Sequence, residues 1–358
     1  MRILYIAGET TNWIVDLCNN MCEQGHDVTA VVVPIDFYDN ENRVEPHKKL
    51  KILEAKDEIM QHPMKLTALL KEKKLYNLKY DIIFGSNPYV IPSLRYISED
   101  KKKPWGVMLL DIPADLIEEE PKRKKLWEYW LTTLKTVDQV VFNTFVARDV
   151  YKNVVDVQWP DENVITYAVT VPDKYRMSGA EIKGDYVFSS CRLTPVKNIN
   201  MITCAIAESG LPIKQVVVGR DRGDLDIITQ VAERFRIPLT YKNIITEEEK
   251  HELIKNSLCI AYPQYTEYVG GLSPWEGMMI GKPTVCSDFK VLKDLFGDKI
   301  TYFDRKKVVA LSEVLTKIYK EDYDKDTLQK ASDFAYYDAC FENMAARLLN
   351  VFDKMVRK

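Results

Sequence analysis

Two trains of short, near-continuous apolar runs, separated by helical stretches, constrain the fold of this chain more than any other feature. The first train reads 2-RILYIAG-8, 27-DVTAVVV-33, 80-YDIIFGS-86, 104-PWGVMLLDI-112, 139-QVVFNT-144 and 163-NVITYA-168. Runs with so little polar alternation suit parallel strands whose two faces are both covered by helices. Between the first two, Trp13, Ile14, Leu17, Cys18, Met21 and Cys22 recur at helical spacing, and Gly25 ends the helix. The segment from about 40 to 78 is the least regular, with a lysine-rich helical stretch at 64-MKLTALLKEKKL-75. The second train reads 185-DYVFSSC-191, 214-KQVVVG-219, 238-PLTYKN-243, 257-SLCIAY-262, 283-PTVCSD-288 and 300-ITYFD-304. Helices fit between them at 224-DLDIITQVAERFR-236 and 246-TEEEKHELIKN-256, where Thr246 and Glu249 read as a capping box. The stretch 170-TVPDKYRMSGAEIKGD-185 carries Pro, Gly and charge without apolar period, a linker signature. The alternation predicts an α/β chain with two doubly wound sheets, ligands binding beyond the strand ends in a cleft between them.

Size and composition agree. At 358 residues the chain is long enough for two cores. A net charge of −3 gives no bias toward nucleic acid. The basic clusters 101-KKK-103 and 122-KRKK-125 read as solvated surface, the second offset by 117-IEEEP-121, with a patch for a peripheral membrane contact as the lesser reading. Seven cysteines, an odd number with no CxxC pair, fit buried free thiols in a reducing compartment. The N-terminus runs straight into a strand without a signal-peptide pattern, and no apolar run approaches the roughly 20 residues of a membrane span. A cytoplasmic protein is expected.

Several chemistries lack their residues. The histidines His26, His47, His62 and His251 stand apart, with no HExxH and no zinc spacing, so no metal is expected. The first strand is followed by AGETTN, which is neither a P-loop nor GxGxxG, and GxSxG is missing. The pair in 224-DLD-226 resembles metal ligands, but Asp224 opens a predicted helix, where capping explains it at least as well.

The informative stretch is 264-QYTEYVGGLSPWEGMMIGKPTVCSD-288, which sets Glu267 and Glu276 either side of Gly270 and Gly271. Ser273, Pro274 and Glu276 fit the N-cap, N1 and N3 positions of a helix. The glycine pair lets the backbone come close to a ligand at that helix N-terminus, where free N–H groups favour an anion. Carboxylates beside an anion site make sense when they serve other parts of the same ligand. A nucleotide sugar, hydroxylated at both ends with a diphosphate between, is such a ligand. In 190-SCRLTPVKNI-199, Arg192 and Lys197 bracket a turn where a strand enters a helix. Two cations there would cradle a diphosphate; the alternative is ordinary surface charge.

Taken in order, these motifs resemble those of the retaining GT-B glycosyltransferases, the family 4 class also called glycosyl transferases group 1. The first is a strand, a polar loop and a helix ending in GH-x-V-T, here 1-MRILYIAG-8 through 24-QGHDVTAVVV-33. The second is R-L-x-x-x-K-N, here 192-RLTPVKN-198, and the third E-x-M-x-x-G-x-P-x-V, here 276-EGMMIGKPTV-285. The resemblance runs from residue 1 to about 305, and 332-SDFAYYDACFENMAARLLNVFDKM-355 is similar to the family's terminal helices. It implies two Rossmann-like domains, 1–172 on the acceptor side and 173–335 on the donor side, with 336–358 crossing back to the first. It implies that Arg192 and Lys197 hold the donor diphosphate, that Glu276 accepts from the ribose, and that Glu267 orients the transferred sugar. Backbone at Gly270, Gly271 and Leu272 would meet phosphate and sugar, with Gly8 and Gly219 in the same donor-binding set. The chain departs from the family in two places. Glu267 and Glu276 are nine positions apart, where eight is usual. The histidine that many members carry after the fourth strand is missing; Asp111 is the catalytic candidate in its place, with Asp115 nearby. The first-strand loop offers Gly8, Glu9, Thr10 and Thr11 instead of Gly-Gly.

The expected activity is retaining, metal-independent transfer of a sugar, most readily a hexose, from a nucleoside diphosphate sugar to the hydroxyl of a glycan, lipid or other acceptor. No cofactor is expected beyond that donor substrate. The alternatives are a glycosyltransferase acting on modified DNA bases, a nucleotide-sugar epimerase of the same shape, and a non-catalytic nucleotide-sugar-binding relative.

Overall fold

The computed structural model describes residues 1–8, 12–33, 44–110, 112, 124–159, 163–177, 184–265, 270–321 and 323–357. The chain divides into two units, one made of Met1–Ala168 with Phe341–Lys358, the other of Val169–Cys340.

In the first unit, the strands are β1 (Arg2–Ala7), β2 (Asp27–Val32), β3 (Lys51–Glu54), β4 (Ile82–Ser86), β5 (Trp105–Leu109) and β6 (Gln139–Phe142). They form one parallel sheet in the order β3-β2-β1-β4-β5-β6. The apolar run of β1 feeds two cores because successive side chains leave a strand on opposite faces. Ile3, Tyr5 and Ala7 join the helices Asn12–Glu23 and Phe341–Val356, whereas Leu4 and Ile6 pack toward Leu94, Trp127 and Trp130 on the other face. The terminal helix is held by Phe352, whose ring lies 4.7 Å from that of Phe84 on β4.

Two expectations change here. The irregular segment contains a strand, β3, whose sequence KILE is short and charged at both ends, as suits the edge of a sheet. The run 163-NVITYA-168 is not a strand. It meets β6 through the single bridge Phe142↔Val164, with Ile165 N–H donating to Phe142 O at 2.7 Å, because β6 is only four residues long.

The second unit contains β7 (Tyr186–Ser190), β8 (Lys214–Val218), β9 (Leu239–Lys242), β10 (Cys259–Tyr262), β11 (Thr284–Ser287) and β12 (Thr301–Phe303). They are parallel, in the order β12-β11-β10-β7-β8-β9. Val187, Val217 and Val285 face a core with Ile202 of the helix Asn200–Ser209 and Leu315 of the helix Val308–Tyr319. Trp275 packs elsewhere, with Phe296 at 4.8 Å and Phe334 at 5.6 Å between ring centroids. In each unit the first and fourth strands are neighbours, so the chain leaves them in opposite directions. That reversal opens a crevice at their C-terminal ends. In the second unit it lies between β7 and β10.

All seven cysteines are free thiols; Cys18, Cys22, Cys259 and Cys286 are buried, while Cys191, Cys204 and Cys340 are partly exposed. Among the described residues no helix is long and apolar enough to cross a membrane.

Candidate functional site

Lys197 lies at the β7–β10 crevice. After β7 the chain makes a tight turn and a short 3-10 segment, Pro195–Lys197, which Asn198 ends with a left-handed φ of 53°. The segment is pinned to the loop after β10 by Tyr265 N–H, which donates to Val196 O at 2.9 Å. This brings the Lys197 ammonium 3.0 Å from Gln264 Oε1 and 5.7 Å from the centre of the Tyr262 ring. Gln264 is 3% exposed, and its amide Nε2 is buried without a hydrogen-bond partner among the described residues. Such an orphan donor costs about 1–3 kcal/mol unless a ligand accepts from it. Arg192 is exposed on the same turn. Both cations act on Cys191: burial pushes that thiol up to about 11, with Lys197 and Arg192 pulling it part of the way back.

The helix Leu272–Ile280 starts against the same strand ends. Ser273 Oγ donates to Ser190 O at 2.7 Å, tying the helix start to the end of β7. A Cβ on Gly271 would sit 2.2 Å from Tyr262 Oη, so only glycine lets this backbone reach the tyrosine. Gly270 has φ 76°, the left-handed region that glycine favours. Leu272, the first helical residue, is exposed. The expected capping box is therefore wrong. Gly271 is the N-cap, Ser273 spends its hydroxyl on Ser190, and Glu276 is the fifth helical residue, too far in to reach back to the cap.

Glu276 instead forms a half-hidden ionic cluster. Its Oε1 lies 2.8 Å from Lys250 Nζ, which also lies 2.5 Å from Glu247 Oε2. Lys250 and Glu247 belong to the helix Glu247–Lys255, whose N-cap Thr246 accepts from Glu249 N–H at 3.1 Å. Only half of that capping box forms, because the Glu249 carboxylate pairs with Lys242. Burial pulls the Lys250 pKa down, but the carboxylates of Glu276 and Glu247 outweigh it and hold the ammonium above its ordinary value. His251, which the sequence left apart, joins this group: ligand atoms of Glu247, His251 and Glu276 lie within 4.8 Å of one another. Lys250 already bridges the two carboxylates, so an ammonium supplies the positive charge there.

His251 is 2% exposed, stacks 5.2 Å from the Tyr175 ring, and neither ring nitrogen is hydrogen-bonded. Burial first, and Lys250 second, hold its pKa below the ordinary value of about 6.5, with Glu276 and Glu247 opposing. The unfolded chain therefore takes up a proton in a range where folded His251 stays neutral. Stability from this group is present above about pH 6.5 and is lost as pH falls toward the lowered folded value, by up to about 1.4 kcal/mol per pH unit. The unfolding midpoint of the second unit is expected to drop between pH 7 and pH 5, and His251→Leu should flatten that drop. Parallel pH curves for variant and parent would exclude His251 as the cause.

The remaining residues named from the sequence fall elsewhere. Gly219 has φ 135°, and a Cβ there would lie 1.9 Å from Cys191 O, so its glycine is explained by packing of the β8 loop on the β7 turn. Asp224 does not cap its helix. Asp221 does, its Oδ1 accepting from the N–H groups of Gly223, Asp224 and Leu225 at 2.9, 3.1 and 3.2 Å, while Asp224 is buried with Oδ2 unpartnered. Gly8 belongs to the first unit, where its N–H donates to Ser86 O at 3.1 Å and a Cβ would meet Asn87 Cβ at 3.0 Å. Asp111 and Glu267 lie outside the described residues, as do Glu9, Thr10, Thr11 and Asp115. The structure thus brings together Lys197, Gly271 and Leu272, with Glu276 about 6 Å further along its helix. Gln264, Tyr262 and Lys250 are additions. The only sequence signal for Gln264 was a polar residue just past a strand, and for Lys250 its i,i+3 spacing from Glu247.

Residues 174–337 match the family Glycosyl transferases group 1. No curated protein sequence matches the chain. Among solved structures, sucrose-phosphate synthase from Thermosynechococcus elongatus is similar over 100% of both chains, with TM-score 0.81 and 13% identity. HepE from Anabaena, solved in complex with UDP, is similar over 99% of this chain and 100% of its own, with TM-score 0.75 and 14% identity. A glycosyltransferase from Rickettsia africae is similar over 100% of this chain and 99% of its own, with TM-score 0.74 and 11% identity. At such identities the likeness is one of fold, the two-unit GT-B architecture. The crevice that holds Lys197, Gln264 and the Leu272 helix lies in the segment of the second unit that matches glycosyl transferases group 1, within a chain of GT-B fold.

Proposed function

We propose that the protein transfers a glycosyl group from a nucleoside diphosphate sugar to an acceptor hydroxyl, with retention at the anomeric carbon and without a metal ion. The observation that carries this reading is the buried, unpartnered Gln264 amide beside the Lys197 ammonium, next to the start of the Leu272 helix. A cation, an orphan N–H donor and the positive end of a helix dipole in one crevice call for a multivalent anion. A diphosphate meets all three, and Arg192 on the same turn adds a fourth group. Glu276, held by Lys250, is placed further along the helix, where it would accept hydrogen bonds from the ribose. Glu267 is assigned to the sugar hydroxyls by its place in the sequence. HepE has been solved in complex with UDP-glucose, and a donor of the same class is proposed here.

In the reaction, the bond from the anomeric carbon to the diphosphate oxygen breaks and one to the acceptor oxygen forms on the same face. The acceptor proton passes to the departing phosphate oxygen. Lys197, Gln264 and the helix amides are donors, which suits a step where negative charge grows on the leaving group. Fixed ammonium and guanidinium groups supply the neutralisation for which other transferases recruit a divalent ion. The acceptor is a glycan, a lipid or another hydroxyl compound, and the free thiols support a reducing, cytoplasmic setting.

The test is a thermal-shift series with nucleoside diphosphates and their sugars, with and without a chelator. A diphosphate at 100 times its Kd adds about 2.7 kcal/mol to the unit that binds it. One base is expected to raise the melting temperature by several degrees, chelator or not. No response to any nucleoside diphosphate, or a response that needs added metal, would count against the proposal.

A further inference from the structure

A second ligand site is indicated in the first unit, at the strand ends opposite to those used by nucleotides in this type of sheet. Arg2 and Lys51 begin β1 and β3, and with Lys48, Lys49 and Lys79 they line a cavity of about 610 Å³ whose one carboxylate is Asp27, the first residue of β2. Arg2 is committed: its Nη2 lies 2.6 Å from Asp81 Oδ1 and its Nε 3.3 Å from Asp81 Oδ2. The four lysines are exposed, and none makes an ion pair with a described carboxylate. In a chain of 53 acidic and 50 basic residues, five basic side chains around one carboxylate are a local excess of positive charge. Charge of one sign in a concave site focuses the field and concentrates counterions there.

The shape restricts the counterion. A volume of about 610 Å³ falls in the range of small-molecule pockets. Asn77, an exposed amide, is also in the lining, so the pocket offers a neutral hydrogen-bonding group as well as charge. It is remote from the opposite end of β1, because six residues of strand span about 20 Å. We propose that this pocket binds a small molecule carrying two or more phosphate groups, at a site separate from the donor crevice.

Inorganic tripolyphosphate is a suitable probe, titrated calorimetrically into the full chain, into Lys49→Gln/Lys79→Gln and into Lys197→Ala. Both substitutions in the double variant are at exposed positions, and circular dichroism verifies its fold. Binding is expected to survive in Lys197→Ala, whose donor crevice is impaired, and to weaken at least tenfold in the double glutamine variant. The proposal is overturned by any of three results: no binding to the parent, binding lost in Lys197→Ala but kept in the double variant, or equal binding of sulfate at matched ionic strength. Vesicles containing phosphatidylglycerol form a separate arm. Lysine-dependent vesicle binding without a tripolyphosphate response would assign the patch to a lipid surface and also reject the small-molecule site.

Discussion

Lys197→Ala is expected to lower turnover by about 10²–10³, the loss typical when one preorganised donor to a developing negative charge is removed. The expected loss is in kcat more than in KM, because charge on the leaving diphosphate is greatest in the transition state. The fold should survive. Lys197 is partly exposed, and its ammonium lies 3.0 Å from the neutral Gln264 Oε1, so the substitution removes a side chain that the core does not enclose. Lys197→Arg tests geometry against charge: a guanidinium keeps the charge but lengthens the reach to Gln264 Oε1, now 3.0 Å, and only partial recovery is expected. Steady-state kinetics with a donor found by thermal shift gives the answer. Turnover within a few fold of the parent would remove Lys197 from the mechanism.

Lys250→Met is expected to have the largest effect on stability. Glu276 is 8% exposed in its side chain and Lys250 14%, so removing the ammonium leaves a carboxylate largely out of water without a counter-charge. Breaking a buried pair in this way costs about 3–5 kcal/mol. The low end applies here, because Glu247 is 57% exposed and stays solvated. A loss of about 3 kcal/mol lowers the melting temperature of a domain of this size by about 6–12 °C. The double variant Lys250→Met/Glu276→Gln should regain at least half of the loss, since the stranded charge has gone. A melting temperature for Lys250→Met within 2 °C of the parent would contradict the pairing. The pH dependence separates this cluster from His251. Lys250 is raised in the folded chain, so its contribution is complete below the ordinary lysine pKa of about 10.4 and is lost only above it. Any change between pH 5 and 7 belongs to other groups.

Particular residues mark what was readable along the chain. Parallel strands were readable because burial on both faces leaves an unbroken apolar run, and β1 uses alternate residues of its run for two cores. β3 was not, because four residues with charged ends carry no period long enough to detect. The run at 163–168 had strand composition but no neighbour long enough to pair with. Arg192, Lys197 and the Gly270-Gly271 pair were readable as donor candidates from local chemistry. The role of Ser273 was misread, since a hydroxyl before a proline suits a cap equally well until the Ser190 carbonyl appears beside it.

The sequence by itself determined most of the secondary-structure series, apart from β3 and the run at 163–168, together with the division into two sheets and the places where glycine, lysine and arginine meet strand ends. These depend on short-range periodicity and on backbone geometry, which neighbouring residues encode. Only the tertiary structure decided the partners: Gln264 with Lys197, 67 positions apart, Lys250 with Glu276, and four lysines around one cavity. Which loops become neighbours follows from the strand order, where β10 lies beside β7 and not beside β9. That order is set by packing of whole sheets and helices, and no local stretch of residues contains it.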